Sequence, residues 1–143
     1  MRHVLLVEDN PSNQALVEDI FRYGNLPSEL VCVGSAEEAL RILPSLDPLV
    51  VLMDLTLPGM NGLAATRIIK SDPATKDIRV WAITARNTRF DIDDALAAGC
   101  DGYFTKPVTT KQLVDQLRVF ENEDVQNLVH QIVGQTLEHD LAG

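Results

Sequence analysis

The sequence predicts an α/β domain: an open, doubly wound sheet of five parallel strands covered by helices on both faces. Short runs of branched apolar residues alternate with longer stretches of helical spacing, in the order βαβαβαβαβα. That alternation builds a parallel sheet with helices on each side. Right-handed crossovers favour the open, doubly wound arrangement. The 143 residues, 45% apolar and 23% charged, suffice for one domain with a real core and a short appendage.

The first strand, His3–Val7, is short, branched and followed at once by acids, as suits a buried parallel strand. Asn10-Pro11-Ser12 caps the next helix, with Pro11 near its first position and Tyr23 near its end. Leu16, Ile20 and Tyr23 are its expected inward face, and Gly24-Asn25 stops it. Leu30–Val33 is the second strand. Ser35 and Glu38 then form a capping-box pattern. The helix they open presents Ala39, Leu40 and Leu43, with Pro44 near its end.

Leu49–Met53 is the third strand, and Asn61-Gly62 starts the third helix. Ala65, Ile68 and Ile69 share a face there by spacings of three and four, and the helix closes before Asp72-Pro73. Arg79–Ile83 is the fourth strand. The fourth helix runs from Asn87 to Ala98 and stops at Gly99. Gly102–Phe104 is the fifth strand. Thr109 or Thr110 caps a fifth helix, with Leu113, Leu117 and Phe120 on one face.

The chain carries 21 acids and 12 bases, a net charge of −9. Residues 1–120 hold sixteen of the acids and all twelve bases; residues 121–143 hold five acids and no Lys or Arg. An acidic surface repels phosphate backbones, so nucleic acid is not an expected partner. No apolar run reaches the roughly 18 residues of a membrane span. The N-terminus lacks the apolar stretch and cleavage site of a signal peptide. A cytoplasmic protein without membrane contact is expected. Cys32 and Cys100 match no zinc or redox spacing and read as reduced thiols.

In an open α/β sheet the site lies outside the carboxyl ends of the strands. Glu8 and Asp9 follow the first strand, Asp54 the third, Thr84 and the small Ala85 the fourth, and Lys106-Pro107 the fifth. Any one of these has an ordinary explanation: a solvated loop acid, a helix cap, a turn. Together they gather three carboxylates, a hydroxyl and an ammonium on one rim. Two unit charges about 4 Å apart repel by roughly 4 kcal/mol at an effective dielectric near 20. A hard dication relieves that repulsion. Mg²⁺ suits best, because it takes one or two carboxylates and leaves room for phosphate oxygens. No His or Cys joins the group, which argues against zinc. Asp54 can act as a nucleophile that forms an acyl phosphate. Mg²⁺ and Lys106 would supply charge neutralisation, and Thr84 a hydrogen bond to a phosphoryl oxygen.

Four segments carry a family resemblance. They are Val4-Leu5-Leu6-Val7-Glu8-Asp9-Asn10; Leu52-Met53-Asp54-Leu55-Thr56-Leu57-Pro58-Gly59-Met60-Asn61-Gly62; Ile83-Thr84-Ala85; and Gly99-Cys100-Asp101-Gly102-Tyr103-Phe104-Thr105-Lys106-Pro107. In this order, over about residues 2–120, they resemble the receiver domain of two-component response regulators.

The resemblance implies a flavodoxin-like sheet of order 2-1-3-4-5. It implies that Asp54 accepts a phosphoryl group from a histidine kinase or a histidine phosphotransfer protein. Asp9 and Asp54 would hold Mg²⁺ directly, Glu8 directly or through water, and the Thr56 main-chain carbonyl would complete the protein ligands. Lys106 would pair with the phosphoryl group, and Lys106–Pro107 would be a cis peptide, which X-Pro bonds permit. Thr84 and Tyr103 would be the switch residues. Their movement would remodel the face of the fourth helix, fifth strand and fifth helix, which contacts a downstream protein. Such a protein is a switch rather than an enzyme: it catalyses only its own phosphorylation and dephosphorylation at Asp54.

The receiver is expected over residues 1–120, with residues 121–143 as an acidic extension. Val125, Leu128, Val129, Ile132, Val133 and Leu137 give that extension the pattern of an extra amphipathic helix. An isolated helix of this length is marginal in water, so its apolar face needs a partner: its own receiver, a second copy, or an absent downstream domain. Homodimerisation through this helix, or through the face named above, is one expectation. His130 on one short helix cannot build a phosphotransfer bundle. A stand-alone single-domain response regulator is the expectation; two other readings of the whole chain remain open, a constitutive scaffold on the receiver fold and an isolated receiver fragment of a larger regulator. An enzyme or a flavin binder on the same sheet is disfavoured. It would need a Gly- or Ser/Thr-rich phosphate loop where Glu8-Asp9 stands.

Overall fold

A computed structural model gives the fold. It describes residues 2–85 and 88–119. The elements are β1 (His3–Val7), α1 (Pro11–Tyr23), β2 (Glu29–Val33), α2 (Ala36–Leu46), β3 (Val50–Asp54), α3 (Gly62–Ser71), β4 (Arg79–Thr84), α4 (Arg89–Ala98) and β5 (Gly102–Thr105). A further helix, α5, is described over residues 110–119. The chain divides after Val108 into two units. The expected extra C-terminal helix and the boundary at residue 120 lie outside the described residues.

The five strands form one parallel sheet in the order β2-β1-β3-β4-β5. The order reverses beside β1, so β1 and β3 lie next to each other with Leu6 opposite Leu52 and Val7 opposite Met53. Their carboxyl ends, Glu8 and Asp54, therefore emerge side by side. β3 is buried along its whole length, as a central parallel strand must be.

Strand alternation splits the side chains between two faces. Leu5, Val7, Val51, Met53, Val80 and Ala82 pack with Ala39, Leu43, Ala65, Ile69 and Ala95 of α2, α3 and α4. Leu6 and Ile83 point the other way and share a pocket with Leu16 and Val17 of α1. Burying a side chain such as Leu5 or Leu43 contributes about 1.5–3 kcal/mol.

The helix ends follow local chemistry. Asn10 Oδ1 accepts the N–H groups of Ser12 (2.8 Å) and Asn13 (3.3 Å). Ser35 Oγ accepts the Glu38 N–H at 3.2 Å, and Asn61 Oδ1 that of Ala64 at 2.8 Å. α4 starts at Arg89, two residues later than expected, because Thr88 and Asp91 form a reciprocal capping box. Gly99 ends α4 at φ 106°, a left-handed conformation that glycine adopts without strain. Thr109 and Gln112 cap α5 reciprocally, at 3.2 and 3.3 Å.

Two expected helix faces are corrected. α1 buries Val17 and Ile20, whereas Leu16 is 41% and Tyr23 77% exposed. Leu16 and Val17 are adjacent and both apolar, so the stripe fits two settings about 100° apart; the sheet selects the one centred on Val17. In α3, Ala65, Thr66 and Ile69 are buried and Ile68 is 44% exposed, for the same reason. Thr66 is tolerated inside because its hydroxyl donates to the Gly62 carbonyl at 2.7 Å.

Candidate functional site

The carboxyl ends of three strands deliver the site. Glu8 and Asp9 leave β1, Asp54 ends β3, and Lys106 follows β5. One carboxylate oxygen from each of Glu8, Asp9 and Asp54 lies within 4.8 Å of the others. Glu8 and Asp54 are each only 2% exposed, while Asp9 is at the surface.

The Lys106 ammonium stands between the two buried acids. Its Nζ is 3.1 Å from Asp54 Oδ2, 3.1 Å from Glu8 Oε2 and 3.2 Å from Glu8 Oε1. The Thr56 N–H donates to Asp54 Oδ1 at 2.9 Å, so both Asp54 oxygens are held. The Lys106–Pro107 peptide is cis, and the Lys106 N–H donates to the Thr84 carbonyl at 2.8 Å. Thr84 is fully buried at the end of β4, opposite Thr105. Tyr103 lies opposite Ala82 and packs against the core of the α2–α3–α4 face.

The electrostatics follow from burial and crowding. Burial, then the hydrogen bond shared with Asp54, pushes the Glu8 carboxyl up to about 7; Asn13 and Lys106 pull it down. Burial also opposes ionisation of Asp54. Hydrogen bonds from Glu8, the Thr56 N–H and Lys106 outweigh it and hold Asp54 below the ordinary carboxylate value. Glu8 therefore keeps its proton to higher pH than Asp54 does. Burial disfavours the Lys106 cation, yet its bonds to Asp54 and Glu8 raise its pKa.

The donor set fits a hard divalent cation. It consists of three carboxylates with oxygens within 4.8 Å of one another, two of them on residues withdrawn from water. Cys32 and Cys100 are free thiols with no part in it.

The structure also places residues that the sequence reading passed over. Asn13 Nδ2 donates to Glu8 Oε1, and Gln14 Nε2 to the Glu8 carbonyl, each at 2.6 Å. A signal was available: both lie in the first turn of α1, and helical side chains tilt back toward the N-terminus. Glu37 Oε1 accepts the Met60 N–H at 3.1 Å, tying the loop after β3 to α2. Gly62 is needed for close approach. A Cβ there would meet the Asp54 carbonyl oxygen and lie 2.9 Å from Leu55 Cα. No local pattern marks the Glu37 contact, which spans 23 residues.

Comparison with known proteins places this arrangement in a family. The sequence description of the response regulator receiver domain matches residues 4–118. The chain is 31% identical over 125 residues to the DNA-binding response regulator MtrA of Mycolicibacterium smegmatis. That alignment covers 86% of this chain and 53% of MtrA, so the chain spans about half of that relative's length. It is 29% identical to the polar-differentiation response regulator DivK of Brucella ovis, covering 83% of this chain and 95% of DivK. Among solved structures, the receiver domain of the sensor histidine kinase PA1611 of Pseudomonas aeruginosa, with a magnesium ion coordinated in its active-site cleft, superposes with a TM-score of 0.75. It is 31% identical, over 83% of this chain and 96% of that one. Sheet order, the acidic cluster at the strand ends and the match over nearly all described residues agree: the chain belongs to the response regulator receiver domain family.

Proposed function

We propose that Asp54 accepts a phosphoryl group from a phosphohistidine of a histidine kinase or a histidine phosphotransfer protein. One observation carries the reading. Asp54 is a buried carboxylate, held ionised, with the Lys106 ammonium 3.1 Å from one oxygen. An Asp54 oxygen attacks phosphorus, the bond from phosphorus to the donor imidazole nitrogen breaks, and an acyl phosphate results. Glu8, Asp9, Asp54 and the Thr56 carbonyl would hold Mg²⁺, which supplies charge neutralisation on the phosphoryl oxygens. Lys106 would pair with the phosphoryl group once it is attached.

The new charge would then draw the Thr84 hydroxyl, with Tyr103 responding on β5, and alter a surface that a downstream protein contacts. The cytoplasm, where such donors are charged, is the compartment this reading assigns. Among the described residues no helix is long and apolar enough to cross a membrane.

Incubation of the chain with Mg²⁺ and acetyl phosphate, followed by intact mass, tests the reading. A phosphate-sized gain that is lost in Asp54→Asn is expected. No gain with acetyl phosphate, phosphoramidate or a phosphorylated histidine phosphotransfer protein overturns it.

A further inference from the structure

Glu8 is held by two consecutive amide side chains that take no part in the phosphoryl chemistry proposed above. Asn13 Nδ2 donates to its carboxylate and Gln14 Nε2 to its carbonyl, both at 2.6 Å. We infer that Asn13 is a positioning residue: its amide sets the Glu8 carboxylate within the acidic cluster and thereby sets the affinity of that cluster for a divalent cation. The inference rests on the reading of Glu8, Asp9 and Asp54 as a cation site.

The local structure explains why Asn13 reaches Glu8. Asn10 caps α1 by accepting the Ser12 and Asn13 N–H groups, and Pro11 opens the helix. This fixes the first turn directly behind the end of β1. Side chains of that turn tilt back toward the helix N-terminus, which is where Glu8 stands.

Competition within the cluster gives the contact its consequence. Glutamate has one more side-chain torsion than aspartate, and Glu8 is the one glutamate of the three acids. Lys106 touches both Glu8 oxygens, at 3.2 and 3.1 Å. A Glu8 carboxylate released by Asn13 can settle further onto that ammonium and away from the position it shares with Asp9 and Asp54. The Asn13 amide anchors one oxygen from the opposite chemistry: it is a neutral donor. Once a cation has displaced the Glu8 proton, three carboxylates against one ammonium leave two negative charges, matched to a dication. A lysine or arginine in place of Asn13 would cancel one of them, whereas the amide orients Glu8 at no cost in charge. Outer partners that orient metal ligands are commonly worth about 10–100-fold in metal affinity.

The test compares the full chain with Asn13→Leu, which keeps the branching at Cγ and removes the donor, and with Asn13→Gln, which keeps the donor. Mg²⁺ is titrated calorimetrically at fixed pH. The Mg²⁺ dependence of acetyl phosphate labelling is followed by intact mass. N13L is expected to weaken Mg²⁺ binding at least tenfold, within the usual range for such partners, and N13Q to recover most of it. At saturating Mg²⁺ the N13L labelling rate is expected to approach that of the unaltered chain.

Equal Mg²⁺ affinity in N13L and the unaltered chain overturns the inference while leaving the cation site standing. A lower N13L labelling rate at saturating Mg²⁺ also overturns it, because Asn13 would then support the whole site rather than Glu8. An unaltered chain that binds no Mg²⁺ overturns the cation-site reading itself. Should N13L lose its cooperative thermal transition, Asn13→Ala against N13Q makes the same comparison.

Discussion

The Lys106 ammonium lies 3.1 Å from Asp54 Oδ2, joining residues 52 apart in the chain. It lies equally close to Glu8 Oε2, so one cation serves two buried acids. Replacing it with a neutral side chain leaves those acids without a fixed positive neighbour. Lys106→Met should therefore tighten Mg²⁺ binding several-fold, since a competing cation is gone. It should slow phosphoryl transfer by at least tenfold, since one of the two positive charges facing the transferred group is lost. Calorimetry and time-resolved intact mass read the two effects separately. Weaker Mg²⁺ binding in this variant would contradict the geometry.

The proton on Glu8 predicts a pH dependence. Its folded pKa is about 7, raised from 4.5 chiefly by burial and then by the bond to Asp54. An acid raised on folding binds its proton more tightly in the folded chain. Its contribution is present below the unfolded value and is lost as pH rises through the folded one. In a metal-free chain, stability should fall between about pH 4.5 and 7. Asp54, lowered on folding, acts in the opposite direction and only at more acidic pH. Mg²⁺ must displace the Glu8 proton, so its affinity should rise over the same window and then level off. Urea titrations at pH 5, 6 and 7.5, in EDTA and in Mg²⁺, check both. Metal-free stability that rises steadily across this range would argue against a proton held on Glu8.

Gly62 offers a purely steric prediction. A methyl group there would meet the Asp54 carbonyl oxygen and lie 2.9 Å from Leu55 Cα, and backbone atoms yield less readily than the end of a flexible side chain. Gly62→Ala should cost about 1–3 kcal/mol, the usual range for overpacking. It should also weaken Mg²⁺ binding by displacing Asp54. Urea denaturation with calorimetry measures the pair. A neutral or stabilising outcome would mean that α3 can shift away from β3.

Leu43 separates stability from site chemistry. It is fully buried within the core of the α2–α3–α4 face, away from the strand ends that carry the site. Leu43→Ala should cost about 2–5 kcal/mol while leaving acetyl phosphate labelling of the folded fraction unchanged. Denaturant midpoint and labelling rate are the two readouts.

The fold was legible because its signals are local and repeated. Five short branched runs separated by capped helices admit few arrangements. Asn10, Ser35, Asn61 and Gly99 cap or stop helices in the structure as their side chains and backbone freedom require. The rotational setting of α1 and α3 was not legible. Leu16 against Val17, and Ile68 against Ile69, are neighbours of equal apolarity, and only the position of the sheet decides between them. The start of α4 at Arg89 rather than Asn87 was not legible either, because it depends on the reciprocal cap of Thr88 and Asp91.

By itself the sequence determined which residues could meet. Parallel topology sends every strand's carboxyl end to one rim, so Glu8, Asp9, Asp54 and Lys106 had to share it. Tertiary structure alone decided how they meet. Burial raises the proton affinity of Glu8, and hydrogen bonds from Glu8, the Thr56 N–H and Lys106 overcome the same burial at Asp54. The path of α1, not a motif, brings Asn13 onto Glu8, and the packing of α2 lets Glu37 hold Met60 across 23 residues. Proton affinity and orientation depend on water exclusion and on distances of a few ångströms. Both arise only when separate strands and helices are assembled.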